Sequence, residues 1–363
     1  MSMGPVKKNI TERLRVSLKP MSPAYFGMVM ATGILSQAAY LLSVPVLPVV
    51  LFALNWIFFA IICLLTVARL CWHPRAVRED LFNHLRAPGF FTFVAACGVL
   101  GVQSLTVGGN LVLAMALGGV GLAGWVALTY TIFTVLTIKE NKPGLDSGIN
   151  GGWLLAVVAT QSMSVLAAML AARVPQAAQP GLNFFALSMW LWGGMLYVWI
   201  MSLIFYRYTF FKFSPADLSP PYWINMGAMA ISTLAGSQLI INAGGGPLLA
   251  SILPFIKGFT ILYWATGTWW IPMLLILGVW RHGAGRFPFA YDPLYWGAVF
   301  PLGMYATCTQ RMRMAMSLDF LGALPPVFLA LGLCAWAVLA AGLLRSMRRH
   351  WAASASSILS THQ

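Results

Sequence analysis

The chain has 363 residues, 60% of them hydrophobic and only 8% charged; 22 Lys and Arg stand against 8 Asp and Glu, a net charge of +14. An average soluble domain carries roughly 25% charged residues, so a water-exposed fold of this size is excluded, and disorder is excluded because disordered segments are polar and poor in aromatics. What fits is an all-α polytopic membrane protein solvated by lipid, with a mean hydropathy of +0.79 and a basic excess read first as topology rather than as a nucleic-acid footprint.

A helix of about 20 mostly apolar residues crosses the roughly 30 Å hydrocarbon core. Ten such runs follow one another at 23–44, 46–70, 89–108, 111–138, 151–172, 183–206, 222–243, 258–280, 293–314 and 325–344, with a short interfacial piece expected at 247–256. The runs are continuous rather than alternating, which argues against a β-barrel. They divide the chain into a basic tail over 1–22, a ten-span unit over 23–345 and a second tail over 346–363.

An even number of spans puts both termini on one side, and the cations say which. Lys7, Lys8, Arg13, Arg15 and Lys19 lie in the first tail, and Arg69, Arg75, Arg78 and Arg86 between spans two and three. Lys139, Lys142, Arg207, Lys212, Arg281 and Arg286 lie in the later even-to-odd links, and Arg345, Arg348 and Arg349 at the end. Only Arg173, Lys257, Arg311 and Arg313 fall on the other side. The positive-inside rule then places both termini in the cytoplasm of an inner (plasma) membrane protein. No cleavable signal peptide is expected. The five cysteines, Cys63, Cys71, Cys97, Cys308 and Cys334, form no CxxC pair, so neither a disulfide framework nor a metal site is expected.

The cytoplasmic start of each odd span carries a recurring signature. It reads Pro23-Ala24-Tyr25-Phe26-Gly27, Pro88-Gly89-Phe90-Phe91, Gly151-Gly152-Trp153, Pro220-Pro221-Tyr222-Trp223 and Pro293-Leu294-Tyr295-Trp296-Gly297. Pro suits the first helical turn and an aromatic anchors a helix at headgroup level. The unit is thus a two-helix hairpin repeated five times, always entering in the same orientation, which predicts a ring about an axis along the membrane normal. Odd spans hold the small and hydroxyl residues and even spans are greasier, so the odd spans are expected inside. The pathway-lining candidates are Thr32, Ser36, Thr160, Ser164, Asn225, Ser232, Thr233, Pro301, Tyr305 and Thr307.

All eight acids, Glu12, Glu79, Asp80, Glu140, Asp146, Asp217, Asp292 and Asp319, lie in tails or loops, and no span interior holds a histidine. Proton relays and cation pathways use intramembrane acids or histidines, so both readings lose support. An intramembrane enzyme lacks an activated nucleophile or metal for the same reason, and no cofactor is expected. Hydroxyls, amides and the helix N-termini at the cytoplasmic mouth suit a small anion instead. Arg311 and Arg313, near the outer end of span nine, are either flanking charges that reach headgroups or an outer-mouth anion contact.

The segments Met21–Gly33, Pro220–Gly236, Thr268–Arg281 and Trp296–Tyr305 resemble the tellurite-resistance/dicarboxylate transporter family, whose members include slow anion channels, malate permeases, sulfite exporters and tellurite-resistance proteins. The resemblance implies ten helices in five hairpins, a quasi-fivefold ring about a central pore, and a homotrimer with one pore per subunit. It also implies a pore plugged by an aromatic on the ninth span, matched here by Phe300 in Val299-Phe300-Pro301, with Tyr305 as the alternative plug. Pro301 removes a backbone hydrogen bond and kinks the helix there. The expected function is a small-anion channel or transporter, with four-carbon dicarboxylate transport and sulfite or tellurite-related efflux as the alternatives.

Overall fold

The computed structural model describes residues 10–288 and 291–359; Lys7 and Lys8 of the basic tail lie outside the described residues. In lipid every backbone polar group must be satisfied within its own segment, and the apolar runs accordingly form ten long helices. They are α1 Gly27–Leu41, α2 Leu47–Trp72, α3 Phe91–Thr106, α4 Leu111–Ile138 and α5 Leu155–Ala171. The second half holds α6 Gln179–Phe210, α7 Ile224–Asn242, α8 Leu253–Val279, α9 Trp296–Met316 and α10 Leu324–Leu359.

Nine helices among the described residues are long and apolar enough to cross a membrane unaided. The tenth, α9, carries Thr307, Thr309, Gln310, Arg311 and Arg313, and it is tolerated because most of its length is buried among other helices. The expected interfacial piece is shorter than the sequence suggests. It is the helix Pro247–Ser251, and α8 already begins at Leu253 with Pro254 in its first turn. The boundary expected at 345 lies within α10, which runs through to Leu359.

Each odd helix opens with a 3-10 turn built from the recurring signature: Pro23–Phe26, Ala87–Phe90, Gly151–Leu154, Pro220–Trp223 and Pro293–Tyr295. Three of these turns are capped by the side chain before them. Ser22 accepts from the Ala24 N–H at 3.2 Å, Asn150 from Gly152 at 2.9 Å and Asp292 from Leu294 at 2.8 Å, satisfying donors that a helix start leaves free. The turns touch in cyclic order, first to second and on through the fifth, which returns to the first. The contact is close: a Cβ on Gly151 would lie 2.8 Å from the Cα of Tyr222 in the next turn.

Beyond these turns the odd helices pack in the same cycle, α1 on α3, α3 on α5, α5 on α7, α7 on α9 and α9 on α1. Each even helix lies outside, against its own odd partner and the odd helix of the following hairpin. Burial confirms which ring is inner. The spans that hold α1, α3, α5 and α7 are 78–94% buried, whereas those of the even helices are 11–56% buried.

Two sets of polar contacts stitch the rings. At the end where the described residues begin and finish, here the near face, a cation at or just past the end of three even helices reaches back to the backbone ahead of its own odd partner. Arg69 donates to the Lys19 carbonyl at 3.1 Å, Lys139 to Phe82 at 2.9 Å and Arg207 to Ile149 at 2.6 Å. Within the membrane, each even helix reaches forward to the next hairpin. Asn55 donates to Gln103 at 2.6 Å, Trp125 to Thr160 at 2.8 Å, Trp190 to the Ser232 carbonyl at 2.9 Å, Trp264 to Thr309 at 3.0 Å and Trp336 to Thr32 at 2.9 Å. The last bond, from α10 to α1, closes the circle.

Candidate ion pathway on the ring axis

Two cavities lie inside the inner ring, each lined by all five odd helices or their opening turns and each about 30 Å³. By that measure each holds about one or two waters. The near-face cavity is lined by Gly27, Met30, Thr92, Leu155, Ile224, Gly297 and Phe300, with residues of the opening turns. The far-face cavity is lined by Ile34, Gln37, Val99, Ser162, Val165, Leu234, Met304, Thr307 and Arg311, among others.

The linings fall in one helical stripe. On α1 the positions are 27, 30, 34, 37 and 41, and on α9 they are 297, 300, 304, 307 and 311. This alternation of three and four keeps one face of a helix toward a centre. Met30 and Phe300 belong to the near-face cavity, and Ile34 and Met304, one turn on, to the far-face cavity. The two linings therefore meet at these four side chains. Phe300 itself is 1% exposed.

Of the residues expected from sequence to line a pathway, the structure brings Phe300, Thr307 and Arg311 to the axis. The others turn away from it, and their bonds say why. Thr32 and Thr160 accept from Trp336 and Trp125 of outer helices. Ser36 donates to the Pro48 carbonyl of α2 at 2.8 Å, and Ser164 to the Ala186 carbonyl of α6 at 2.6 Å. Asn225 donates to the Tyr208 hydroxyl of α6 at 3.1 Å. Ser232 and Thr233 donate to the Ala228 and Met229 carbonyls of their own helix, and neither lines either of these two cavities. Pro301 packs toward α7, where a Cβ on Gly227 would lie 2.8 Å from the proline ring. Tyr305, the alternative plug, shares a 2.8 Å hydrogen bond with Thr268 of α8 and packs on Trp264 and on Phe328 of α10. It faces the outer ring.

The two arginines part company as well. Arg313 bonds Asp319 at 2.9 Å and Gln310 at 3.3 Å, whereas Arg311 lines the far-face cavity. The sequence reading missed the apolar part of the lining: Met30, Ile34, Val99, Val165, Leu234 and Met304. The signal for it was the three-and-four spacing in phase with Phe300, not polarity. Among the described residues no three His, Cys, Asp or Glu side chains cluster to hold a metal ion.

Outside the membrane, Asp217 sits in the link between α6 and α7 and organises the near face. Its carboxylate accepts from the Ser214 hydroxyl at 2.6 Å and from the Ser214 N–H at 2.8 Å, and it pairs with Arg207 at 3.1 Å. The Ser214 hydroxyl foremost, against the cost of burial and with help from the Ser214 N–H and Arg207, holds its carboxyl below the usual carboxylate value.

The chain is similar to known membrane proteins and transporters. An uncharacterized membrane protein of Mycobacterium tuberculosis is 39% identical over 123 residues, 34% of this chain and 62% of that protein's length. Two uncharacterized transporters of Methanocaldococcus jannaschii are 25% and 24% identical, over 79% and 80% of this chain and 82% and 84% of theirs. The voltage-dependent anion channel family, SLAC1, matches residues 20–344, from the first opening turn into α10. With that match over most of its length, this chain is a member of the voltage-dependent anion channel family.

Proposed function

We propose that the protein is a small-anion channel or transporter whose path is the axis of the inner ring, closed at Phe300. The observation that supports the reading is a pair of cavities, both lined by all five odd helices, with Phe300 in the lining of one and Met304, one turn on, in the lining of the other. No acid lines either cavity, so neither cavity repels an anion by charge, and a cation would meet no acidic partner there. The near face is the cytoplasmic one by its excess of Lys and Arg, and that excess concentrates anions at this mouth. The assembly proposed is a homotrimer in the inner membrane, each subunit carrying its own axis.

Phe300 tests the reading directly. Replacing its benzyl group by a methyl removes the largest of the side chains where the two linings meet and touches neither set of stitching bonds. Phe300→Ala in liposomes is expected to raise anion flux at least tenfold over the wild type, while Tyr305→Phe leaves flux unchanged. A well-folded Phe300→Ala protein with unchanged or lower flux removes the gate from this position. Dicarboxylate transport with proton coupling makes a different prediction: uptake that follows the pH gradient as well as the membrane potential.

A further inference from the structure

Four arginines of the described residues bond an aspartate: Arg69 and Arg86 share Asp80, Arg207 pairs with Asp217 and Arg313 with Asp319. Arg311 is different. Among the described residues it makes no hydrogen bond and no ion pair, and its side chain lines the far-face cavity inside the inner ring. It is half-buried near the far end of α9, with Tyr40 as an electrostatic neighbour, and a cation held there without a hydrogen-bonding partner favours a polar path or a counter-ion. Reaching for headgroups is the ordinary alternative, but lipid lies beyond the outer helices, and Arg311 is in the stripe that faces the centre.

The other polar lining groups are already engaged. Ser162 donates to the Ala159 carbonyl at 2.7 Å, Thr307 to Gly303 at 2.9 Å and Gln37 to the Thr106 hydroxyl at 2.9 Å. The guanidinium is therefore the one lining group with its N–H donors unspent, set among Val, Ile, Leu and Met. Its eleven-residue distance from Phe300 is three helical turns, so the two side chains stand on one line along the axis.

We propose that Arg311 binds one small, singly charged anion at the far-face end of the axis, such as nitrate or chloride. A single cation in a space for about one or two waters balances one charge. A four-carbon dicarboxylate leaves its second carboxylate against aliphatic side chains with no donor, which burial penalises heavily. The inference takes only its place on the path from the axial reading above, and the test separates the two.

The purified full-length protein is heated in sodium nitrate, sodium chloride, sodium malate and sodium gluconate at equal ionic strength. The wild type and Arg313→Gln are expected to melt about 2 °C higher in nitrate or chloride than Arg311→Gln does, once each is referenced to gluconate; comparing the variants in the same salt removes general salt effects. Malate is expected to give no such difference, and Arg311→Lys to keep part of it. A wild type that shows no excess over Arg311→Gln overturns the site, and a malate shift larger than chloride's overturns the single-charge assignment. Vesicle flux then places the site on the path. In the Phe300→Ala background, Arg311→Gln is expected to lower the anion-over-cation permeability ratio about tenfold, and an unchanged ratio removes Arg311 from the path. A Phe300→Ala protein that passes no anion at all refutes the axial pathway, while the melting shifts still decide whether Arg311 binds an anion.

Discussion

The inner helices α1, α3, α5, α7 and α9 and the outer helices α2, α4, α6, α8 and α10 arise from the same five-fold repeat, yet they cohere by different means. The inner ring relies on close approach. Its turns touch backbone to backbone at Gly151, and Gly33 lets α1 meet Val99 and Gln103 of α3 so closely that a Cβ would lie 2.5 Å from the Val99 methyl. The outer ring presents large apolar side chains such as Leu64, Val112, Trp199 and Ile276 to its surroundings and is fixed to the inner one by a few directed bonds. Hydrophobic burial does not distinguish a helix neighbour from lipid tails, so packing and hydrogen bonds must do it. The odd helices rely on packing among themselves, whereas the even ones add directed bonds to close approaches such as Gly121 on Met163 and Gly332 on Leu35.

This contrast breaks most visibly at glycine. Gly151→Val puts a branched side chain against the Pro221 carbonyl and the Tyr222 backbone, which no rotamer relieves. We expect a loss of about 3 kcal/mol or more, read as failure to assemble or a collapse of the melting temperature in detergent. Gly119→Val on α4 is the counterpart, because a Cβ there meets nothing within 4 Å. It is expected to melt with the wild type. Equal effects at the two sites would mean that the inner ring is not held by close approach.

A smaller effect is expected at the forward bonds of the outer ring. Trp336→Phe and Thr32→Val each remove one side of the bond that closes the circle, and each is expected to cost about 0.5–1.5 kcal/mol. The double variant is expected to cost less than the sum, because the second change removes a bond already lost. Strict additivity in thermal unfolding would show that this indole and hydroxyl merely lie close.

Those forward bonds also mark the limit of what the sequence discloses. Helix count, hairpin parity and the inner position of the odd spans are legible, because length, apolarity and the repeated Pro-aromatic start depend on local chemistry alone. The direction of a hydroxyl is not. An inner helix has protein on every side, so a polar residue at any angle is buried, and Thr32, Ser36, Thr160 and Ser164 look like lining when they are partners of the outer ring. The missing clue was on the even spans. Trp125, Trp190, Trp264 and Trp336 recur at repeat spacing, and each indole N–H in a membrane needs an acceptor. Arg311 and Arg313 were separable in the same way: two residues apart on a helix they point about 200° from each other, so only one of them faces the axis.

The least effect is expected at the near face, where the contrast between the rings is carried by charge. Arg207 of outer α6 bonds the Ile149 carbonyl and the Tyr222 hydroxyl, both at the start of inner helices, and Asp217 holds the guanidinium in place. The carboxyl of Asp217 is depressed in the folded chain. Folding therefore gains from its ionised form above the unfolded value of about 3.9 and loses that gain as pH falls through the lower folded value. Asp217 is partly solvent-exposed, so water screens the pair and the gain is small. Melting curves of the wild type and Asp217→Asn are expected to differ at neutral pH and to converge on acidification below about pH 4. A difference that persists unchanged at low pH would assign the role of Asp217 to its hydrogen-bonding shape rather than its charge. The outer ring would then be tied to the inner at this face by geometry, as it is within the membrane.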